Sequence, residues 1–184
     1  MTDRSGDRAG AGRVGWRGLI RDVPGFPRPG IVFKDITPLL GNPAGLSECV
    51  DELVGPFENQ GIELVAAPEA RGFVIGGMAA ERLGAGFVPL RKPGKLPRAA
   101  LGADYELEYG AERMEMHTDA IADGARVLIV DDVLATGGTA TASAQLVTQG
   151  GGELVGFSFI VELAFLDGRS LLGDARIESA LLVD

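Results

Sequence analysis

The chain has 184 residues, 46% of them hydrophobic and 23% charged, and a formal net charge of −9. This length and composition indicate a folded, soluble protein with one core of ordinary size, and the acidic balance argues against a nucleic-acid-binding surface, which needs clustered positive charge. No segment approaches the roughly 20 apolar residues of a membrane helix, and the N-terminus lacks the apolar block of a signal peptide, so we expect a cytoplasmic protein with no membrane association.

The predicted elements begin after a tail, residues 1–12, which is rich in glycine and charge and is expected to be flexible. A short helix is predicted over Val14–Ile20, and it must end before Pro24 because proline disfavours helical geometry in the preceding residue. The segment Ile31–Asp35 is predicted to be extended. Apolar residues at helical spacing then predict a helix over Ala44–Gln60.

From there, apolar runs of strand length alternate with helical patterns. In chain order we predict strand Glu63–Ala67, helix Phe73–Leu83, strand Gly86–Leu90, hairpin strands Tyr105–Glu108 and Arg113–His117, strand Val127–Val130, helix Thr136–Thr148, strand Leu154–Val161, helix Asp167–Leu172 and strand Ile177–Val183. Continuous apolar strands separated by helices predict an α/β fold with a mostly parallel sheet flanked by helices. Ligands of such sheets bind beyond the carboxyl ends of the strands.

The longest segment without a periodic pattern, Arg91–Asp104, is rich in glycine, proline and positive charge. It holds four cations, and two of them are among the three lysines of the chain: Arg91, Lys92, Lys95 and Arg98. One interpretation is a solvated basic loop. The other is a lid that meets a small anion and excludes water when it closes.

The residue types exclude several kinds of site. Cys49 and His117 are the single cysteine and the single histidine of the chain. An internal disulfide, a cysteine-rich or histidine-based zinc site and a histidine-dependent catalytic triad are therefore not expected. Any chemistry must come from carboxylates, cations and backbone dipoles.

The most informative segment is Val127–Ser143, with the sequence VLIVDDVLATGGTATAS. A buried strand ends in Asp131 and Asp132, and a loop of small residues then opens a helix. Glycines let this backbone approach a ligand, while amide and hydroxyl donors at a helix N-terminus favour an anion. The segment therefore predicts a phosphate site beside two carboxylates, which would accept ribose hydroxyls or a cation. It lacks the Gly-Lys-Ser/Thr ending of a P-loop.

This segment resembles the signature of the type I phosphoribosyltransferases. The resemblance narrows to the adenine phosphoribosyltransferase family through Pro29–Thr37 (PGIVFKDIT), Glu69–Phe73 (EARGF), Arg91–Pro97 (RKPGKLP) and Tyr105–Gly110 (YELEYG), which match in order and in approximate spacing. It covers roughly residues 24–183. It implies one domain over residues 13–184, with a small N-terminal hood at about 24–40 and a flexible lid at about 91–109.

The resemblance also implies a role for each motif. The expected 5-phosphate and ribose ligands are Asp131, Asp132, Ala135, Thr136, Gly137, Gly138 and Thr139. The expected pyrophosphate ligands are Glu69, Ala70, Arg71, Gly72, Arg91, Lys92 and Lys95, the last of which belongs to the neighbouring subunit in some relatives. Adenine is expected to meet Val32, Phe33 and Lys34. Glu108 is expected to act on the proton of the base, beside Tyr109 in the lid, and Arg71 is the second expected catalytic residue.

The resemblance further implies Mg²⁺, held by Asp131 and Asp132 directly or through substrate, and a homodimer. Three alternatives stay open at this stage. Arg71 and Glu108 could be ordinary surface charges. The base could be hypoxanthine or xanthine instead of adenine. The chain could also be a regulator that senses phosphoribosyl pyrophosphate and binds nucleic acid, although that would need an added domain or a basic face.

Overall fold

The computed structural model describes residues 15–107 and 110–184. The predicted tail, residues 1–12, and the lid residues Glu108 and Tyr109 lie outside this range. The chain divides into two compact units, Met1–Leu46 and Ser47–Asp184.

The first unit contains a small antiparallel sheet. Its elements are a 3₁₀ helix Trp16–Leu19, strands β1 (Arg21–Pro24) and β2 (Val32–Asp35), helix α1 (Thr37–Leu40) and the first turn of α2 (Pro43–Val54). The extended segment 31–35 is confirmed in β2. The helix predicted over 14–20 is a single 3₁₀ turn, and β1 was not predicted. Most of β1 is exposed, so no alternation of apolar residues marks it in the sequence.

The second unit is built on a five-stranded sheet. Its strands are β3 (Leu64–Pro68), β4 (Gly86–Leu90), β7 (Arg126–Leu134), β8 (Glu153–Leu163) and β9 (Ile177–Val183), and the order across the sheet is β4-β3-β7-β8-β9. Every neighbouring pair is parallel. The two longer helices that follow strands are α3 (Arg71–Leu83) and α4 (Gly138–Gln149). The predicted parallel sheet flanked by helices is confirmed.

A separate antiparallel hairpin follows β4. Strand β5 (Ala100–Leu107) pairs with β6 (Gly110–His117) in register from Ala100 with His117 to Leu107 with Gly110. Both strands are longer than predicted, and β5 includes the end of the segment Arg91–Asp104, which was interpreted as a loop. The hairpin packs against α4, and Met114 and Met116 are buried in the same apolar cluster as Leu146 of α4. The hairpin is therefore part of the core.

Other predicted elements also differ from the structure in their bounds or type. Helix α2 ends at Val54, and a 3₁₀ turn Gly55–Phe57 follows, because Pro56 interrupts helical hydrogen bonding. Strand β7 continues to Leu134, so Asp131 and Asp132 lie within the strand and not after it. The helix predicted at 167–172 is a 3₁₀ helix, Gly168–Leu172. In the part of the chain that the structure describes, no helix has both the length and the apolarity needed to cross a membrane.

Candidate active site

Three of the predicted motif segments follow strands at the carboxyl edge of the parallel sheet. Strand β3 leads into the segment Glu69–Gly72 at the start of α3, β4 leads into Arg91, and β7 leads through Asp131 and Asp132 into the loop 135–139. Parallel strands place their carboxyl ends at one edge, so segments far apart in sequence become neighbours. The fold thus assembles the acid pair, the glycine-threonine loop and three cations in one place.

The two aspartates differ in their surroundings. Asp132 is buried, whereas Asp131 is half-buried, and Oδ1 of Asp131 accepts a hydrogen bond of 2.8 Å from the backbone N–H of Asp132. Burial and the charge of Asp132 raise the pKa of Asp131 well above its usual value, and the positive charge of Arg71 opposes this. A donor or a cation that meets these carboxylates would therefore stabilise the ionised form of Asp131.

Arg71 connects the acid pair to the start of α3. Its Nε lies 2.9 Å from Oδ2 of Asp132, but the contact does not have hydrogen-bond geometry, and within the described residues no group donates a hydrogen bond to this buried oxygen. Gly72 makes the close approach possible, since a Cβ atom there would lie 2.9 Å from Oδ1 of Asp131. Buried polar atoms are normally satisfied, so Oδ2 of Asp132 is available to a hydroxyl group or a cation.

The glycine-threonine loop forms a small cavity at the end of β7. The cavity is lined by Asp131, Val133, Leu134, Ala135, Thr136, Gly137, Gly138, Thr139, Ala140 and Phe159. Helix α4 begins at Gly138 after Gly137, which has φ +85°. This left-handed conformation strongly favours glycine. The loop therefore ends at a helix N-terminus, where backbone amides and the helix dipole favour an anion.

The hairpin contributes a polar contact to this loop. The hydroxyl of Tyr105 donates a 2.8 Å hydrogen bond to Oε2 of Glu112. Burial, and then that hydrogen bond and the charge of Glu112, raise the pKa of Tyr105 to about 12, while a hydrogen bond from the Thr139 side chain acts in the opposite direction. Nζ of Lys92 lies 3.5 Å from the same carboxylate. Tyr105 and Glu112 thus connect a predicted pyrophosphate residue with the predicted phosphate loop.

The cationic segment after β4 begins next to the β3–α3 loop. Nε of Arg91 donates a 2.8 Å hydrogen bond to Oε2 of Glu69, and another of its nitrogens donates to the carbonyl oxygen of Lys95. The side chain of Lys95 is exposed. Arg98 pairs with Asp119 at the far end of the segment. Arg71, Arg91 and Lys92 are therefore each held by a carboxylate, and a pyrophosphate group would compete for them.

The predicted base-binding residues lie on β2 of the first unit. Val32 is exposed, and the ring of Phe33 packs edge to face against Phe26 with centroids 5.2 Å apart. Nζ of Lys34 donates a 2.7 Å hydrogen bond to Oδ1 of Asp22, its partner in the β1–β2 register. The Lys34 side chain thus pairs within its own small sheet.

Sequence reasoning missed several residues around the site. Tyr105, Glu112, Phe159 and Gly168 contact the loop or its neighbours through the tertiary fold. Tyr105 belongs to the motif Tyr105–Gly110 but was given no role of its own, and no local motif marks the other three. Of the predicted catalytic pair, the structure places Arg71 at the acid pair. Glu108 lies outside the described residues.

The described residues fit a magnesium ion that binds together with a phosphorylated substrate. Within residues 15–107 and 110–184 no group of three or more His, Cys, Asp or Glu side chains could hold a metal ion. Mg²⁺ usually keeps several waters and needs only one or two carboxylates plus substrate oxygens. Oxygen Oδ2 of Asp132, buried and without a hydrogen-bond donor, and the neighbouring carboxylate of Asp131 provide that pair.

The parallel sheet carries an acid pair and a glycine-threonine loop at one strand end, and residues 43–170 match the family model of the phosphoribosyl transferase domain. The protein is therefore of the phosphoribosyltransferase class. Similar proteins identify the family within this class. The chain is 58% identical to an adenine phosphoribosyltransferase of Thermosynechococcus vestitus, over 88% of this chain and 95% of the relative. It is 53% identical to one from Thermobifida fusca, over 89% and 93%.

Solved structures agree with these relatives. The crystal structure of adenine phosphoribosyltransferase from Rhodothermus marinus has a TM-score of 0.87 and 51% identity, and the match covers 91% of this chain and 96% of that one. The Saccharomyces cerevisiae enzyme, complexed with an imino-altritol bisphosphate and adenine, has a TM-score of 0.86 and 40% identity, over 90% and 96%. The chain belongs to the adenine phosphoribosyltransferase family, and it is an enzyme of purine salvage.

Proposed function

We propose that the chain transfers the 5-phosphoribosyl group of phosphoribosyl pyrophosphate to adenine, giving AMP and pyrophosphate, at the carboxyl edge of the five-stranded sheet. The observation that carries the site assignment is the acid pair Asp131–Asp132, which lies between Arg71 and the loop 135–139. The family match supports the reaction.

The acid pair and the loop hold the phosphoribosyl group. The 5-phosphate accepts hydrogen bonds from the backbone amides and threonine hydroxyls of residues 135–139, at the positive end of the α4 dipole. The ribose hydroxyls donate to Asp131 and Asp132. Oδ2 of Asp132 supports this role, because it forms an ion pair with Arg71 but accepts no hydrogen bond within the described residues, and a ribose hydroxyl would donate one.

Displacement at C1 of the ribose builds negative charge on the departing pyrophosphate and positive charge on the sugar. No protein nucleophile is needed, since N9 of adenine attacks. Catalysis then depends on orientation and on cations around the leaving group. Arg71 at the acid pair and Arg91 and Lys92 after β4 provide those cations, together with the amides of the segment 69–72.

Asp131 and Asp132 would hold Mg²⁺, either directly or through the ribose hydroxyls and phosphate oxygens. When bound, the ion supplies charge neutralisation of the pyrophosphate. The protein's own share is to place both carboxylates at this position; the positive charge of Arg71 opposes the raised pKa of Asp131, and a cation beside it would favour the ionised form further.

We infer that adenine is recognised by β2. The exposed Val32 reads the edge of the base with its backbone, and Phe33 stacks on the ring. The pairing of Lys34 with Asp22 supports a structural role for the lysine within the hood. Glu108 takes up the proton that adenine sheds as N9 forms its bond, beside Tyr109 in the lid.

We also propose that the enzyme is a homodimer that acts in the cytoplasm. The side chain of Lys95 is exposed, and the experiment below decides between a role in its own subunit and one in the neighbouring subunit. Light scattering after size-exclusion chromatography measures the number of subunits. Mixing a Lys95→Ala variant with an Asp131→Asn variant tests sharing, because mixed dimers recover activity only if Lys95 acts across the interface.

The site assignment is tested by the double variant Asp131→Asn with Asp132→Asn. It keeps side-chain size but removes both carboxylates, so AMP formation should fall below detection while the circular dichroism spectrum is retained. The matched control is Asp174→Asn with Asp184→Asn, which changes net charge equally at two exposed positions. Control-like activity in the acid-pair variant would refute the assignment.

The base assignment is tested by kcat/KM for adenine, hypoxanthine, xanthine and guanine under one set of conditions. Adenine presents a donor at its 6-amino group beside an acceptor at N1, whereas hypoxanthine reverses this pattern. A backbone edge at Val32 that matches adenine leaves two groups unpaired against hypoxanthine. Each costs about 1–3 kcal/mol, which implies discrimination of about 10²-fold to 10⁴-fold. A hypoxanthine value within about tenfold of adenine contradicts adenine recognition and leaves the phosphoribosyl chemistry intact.

A further inference from the structure

The loop 135–139 rests directly on a second backbone segment. A Cβ atom at Gly168 would lie 2.1 Å from the carbonyl oxygen of Ala135 and 2.8 Å from the amide nitrogen of Gly137. In the other direction, a Cβ atom at Gly137 would lie 2.5 Å from the carbonyl oxygen of Gly168. Both glycines therefore permit backbone-to-backbone contact, and the position of Gly168 limits the conformation that the loop can adopt.

Gly168 is held in place by the residue that follows it. Nε and one terminal nitrogen of Arg169 donate hydrogen bonds of 2.9 and 2.6 Å to the two carboxylate oxygens of Glu162, and the other terminal nitrogen donates at 3.3 Å to the carbonyl oxygen of Ile177. The hydroxyl of Ser179 donates a third bond, of 2.6 Å, to Glu162. A two-point contact of this kind fixes direction as well as distance.

Glu162 connects the Arg169 contacts to β7, the strand that precedes the loop. It lies near the end of β8, where it pairs in register with Leu134, the last residue of β7, and the loop begins at the next residue. Its side chain is only 6% exposed, and the hydrogen bond from Arg169 is the first cause that lowers its pKa. The buried carboxylate therefore stays ionised. After β8 the chain passes back to Gly168 and Arg169, which lie beside the loop that follows β7.

We infer that Glu162 and Arg169 are positioning residues for the phosphate loop, and that they set the affinity for the 5-phosphate of phosphoribosyl pyrophosphate without touching it. This inference rests on the proposed role of residues 135–139. The Glu162–Arg169 pair holds Gly168 against the loop, so the loop amides point in the direction that an anion requires. Loss of the pair lets the segment 167–169 and the loop shift together.

The test compares Arg169→Gln and Arg169→Lys with Arg126→Gln. Arg126 pairs with Glu153 at the opposite ends of β7 and β8, so its loss removes an arginine–glutamate ion pair far from the loop. The measurements are kcat, KM for phosphoribosyl pyrophosphate, KM for adenine and the melting temperature. Lysine keeps the charge but cannot make the two-point contact.

We expect Arg169→Gln to raise the KM for phosphoribosyl pyrophosphate by about 5-fold to 100-fold, the range for a misplaced binding group, while the KM for adenine changes little. Arg169→Lys should give a smaller rise in the same constant, and it remains informative if the glutamine variant does not fold. Arg126→Gln should lower the melting temperature without changing either KM.

Two results overturn the inference. One is an unchanged KM for phosphoribosyl pyrophosphate in both Arg169 variants, and the other is an equal rise of both KM values. Failure of the proposed function is distinguishable, because the unmodified enzyme would then form no AMP at all. An active enzyme that is silenced by the acid-pair substitutions but unaffected at Arg169 leaves the function standing and removes only this role.

Discussion

Gly137→Ala tests whether the conformation of the phosphate loop depends on backbone contact with Gly168. Gly137 has φ +85°, and the left-handed conformation costs an alanine there about 1–2 kcal/mol. Its methyl group would also lie 2.5 Å from the carbonyl oxygen of Gly168 and 3.2 Å from the carbonyl carbon. Such overpacking typically costs about 1–3 kcal/mol more, because backbone atoms must move.

Gly124→Ala is the matched control. Gly124 has φ +75°, and a Cβ atom there would have nothing within 4 Å. This variant therefore reports the conformational cost alone. Urea denaturation should show a loss of unfolding free energy of about 1–2 kcal/mol for Gly124→Ala and of about 2–5 kcal/mol for Gly137→Ala. The difference between the two variants measures the contact with Gly168.

The same contact should affect activity in one variant only. If the steric cost of about 1–3 kcal/mol falls on the loop that binds the 5-phosphate, kcat/KM for phosphoribosyl pyrophosphate falls by about 5-fold to 150-fold in Gly137→Ala. Gly124→Ala should keep the activity of the unmodified enzyme. The assay is AMP formation at saturating adenine. If Gly137→Ala loses no more stability than Gly124→Ala, or if its kcat/KM stays within about threefold of the unmodified value, contact with Gly168 does not determine the conformation of the phosphate loop.

Three further predictions concern the buried ion pair, the base proton and the lid. Glu162→Gln should lower the free energy of unfolding at pH 7 by about 1–3 kcal/mol, less than for a fully buried pair because the Arg169 side chain is 47% exposed. Since the folded protein lowers the pKa of Glu162, its contribution is present above the unfolded value of about 4.3 and is lost as the pH falls through the folded value. The difference in unfolding free energy between the variant and the parent should therefore shrink as the pH is lowered below about 4.3, and a difference that does not change with pH contradicts this. Glu108→Gln should lower kcat by about 10²-fold to 10⁴-fold with a smaller change in the KM for phosphoribosyl pyrophosphate, and a loss of less than about threefold would leave Glu108 without a role in proton transfer. Limited proteolysis should cut first in residues 91–99, between β4 and β5, and substrate with Mg²⁺ should slow the cutting; equal rates with and without ligand count against a closing lid.

Local patterns in the sequence were sufficient for the main elements of the second unit. The apolar run of β7 and the glycine-threonine loop after it are contiguous, so both the strand and the phosphate site could be predicted from one segment. Strand β4 and strand β9 were predicted with their observed bounds for the same reason. The likeness of four short motifs to one enzyme family then indicated the reaction.

Predictions failed where neighbours in space, and not neighbours in sequence, decide the conformation. Strand β1 has little apolar pattern and forms by pairing with β2. Strand β7 continues through two aspartates because Val133 and Leu134 pair with β8. The acid pair therefore lies inside the strand, although two adjacent charges had predicted its end. The hairpin strand β5 begins within a segment that reads as a loop, because β6 provides its hydrogen-bond partners.

Contiguous stretches of the sequence were enough to predict the glycine-threonine loop as an anion site and to indicate the family, because each motif lies within a short segment. Which of these segments meet depends on the tertiary fold. Arg71 reaches Asp132 because parallel strands bring β3 and β7 side by side. Gly168 supports the loop because β8 returns beside β7 and Arg169 binds Glu162. Such pairings depend on strand order and register, which no local pattern encodes.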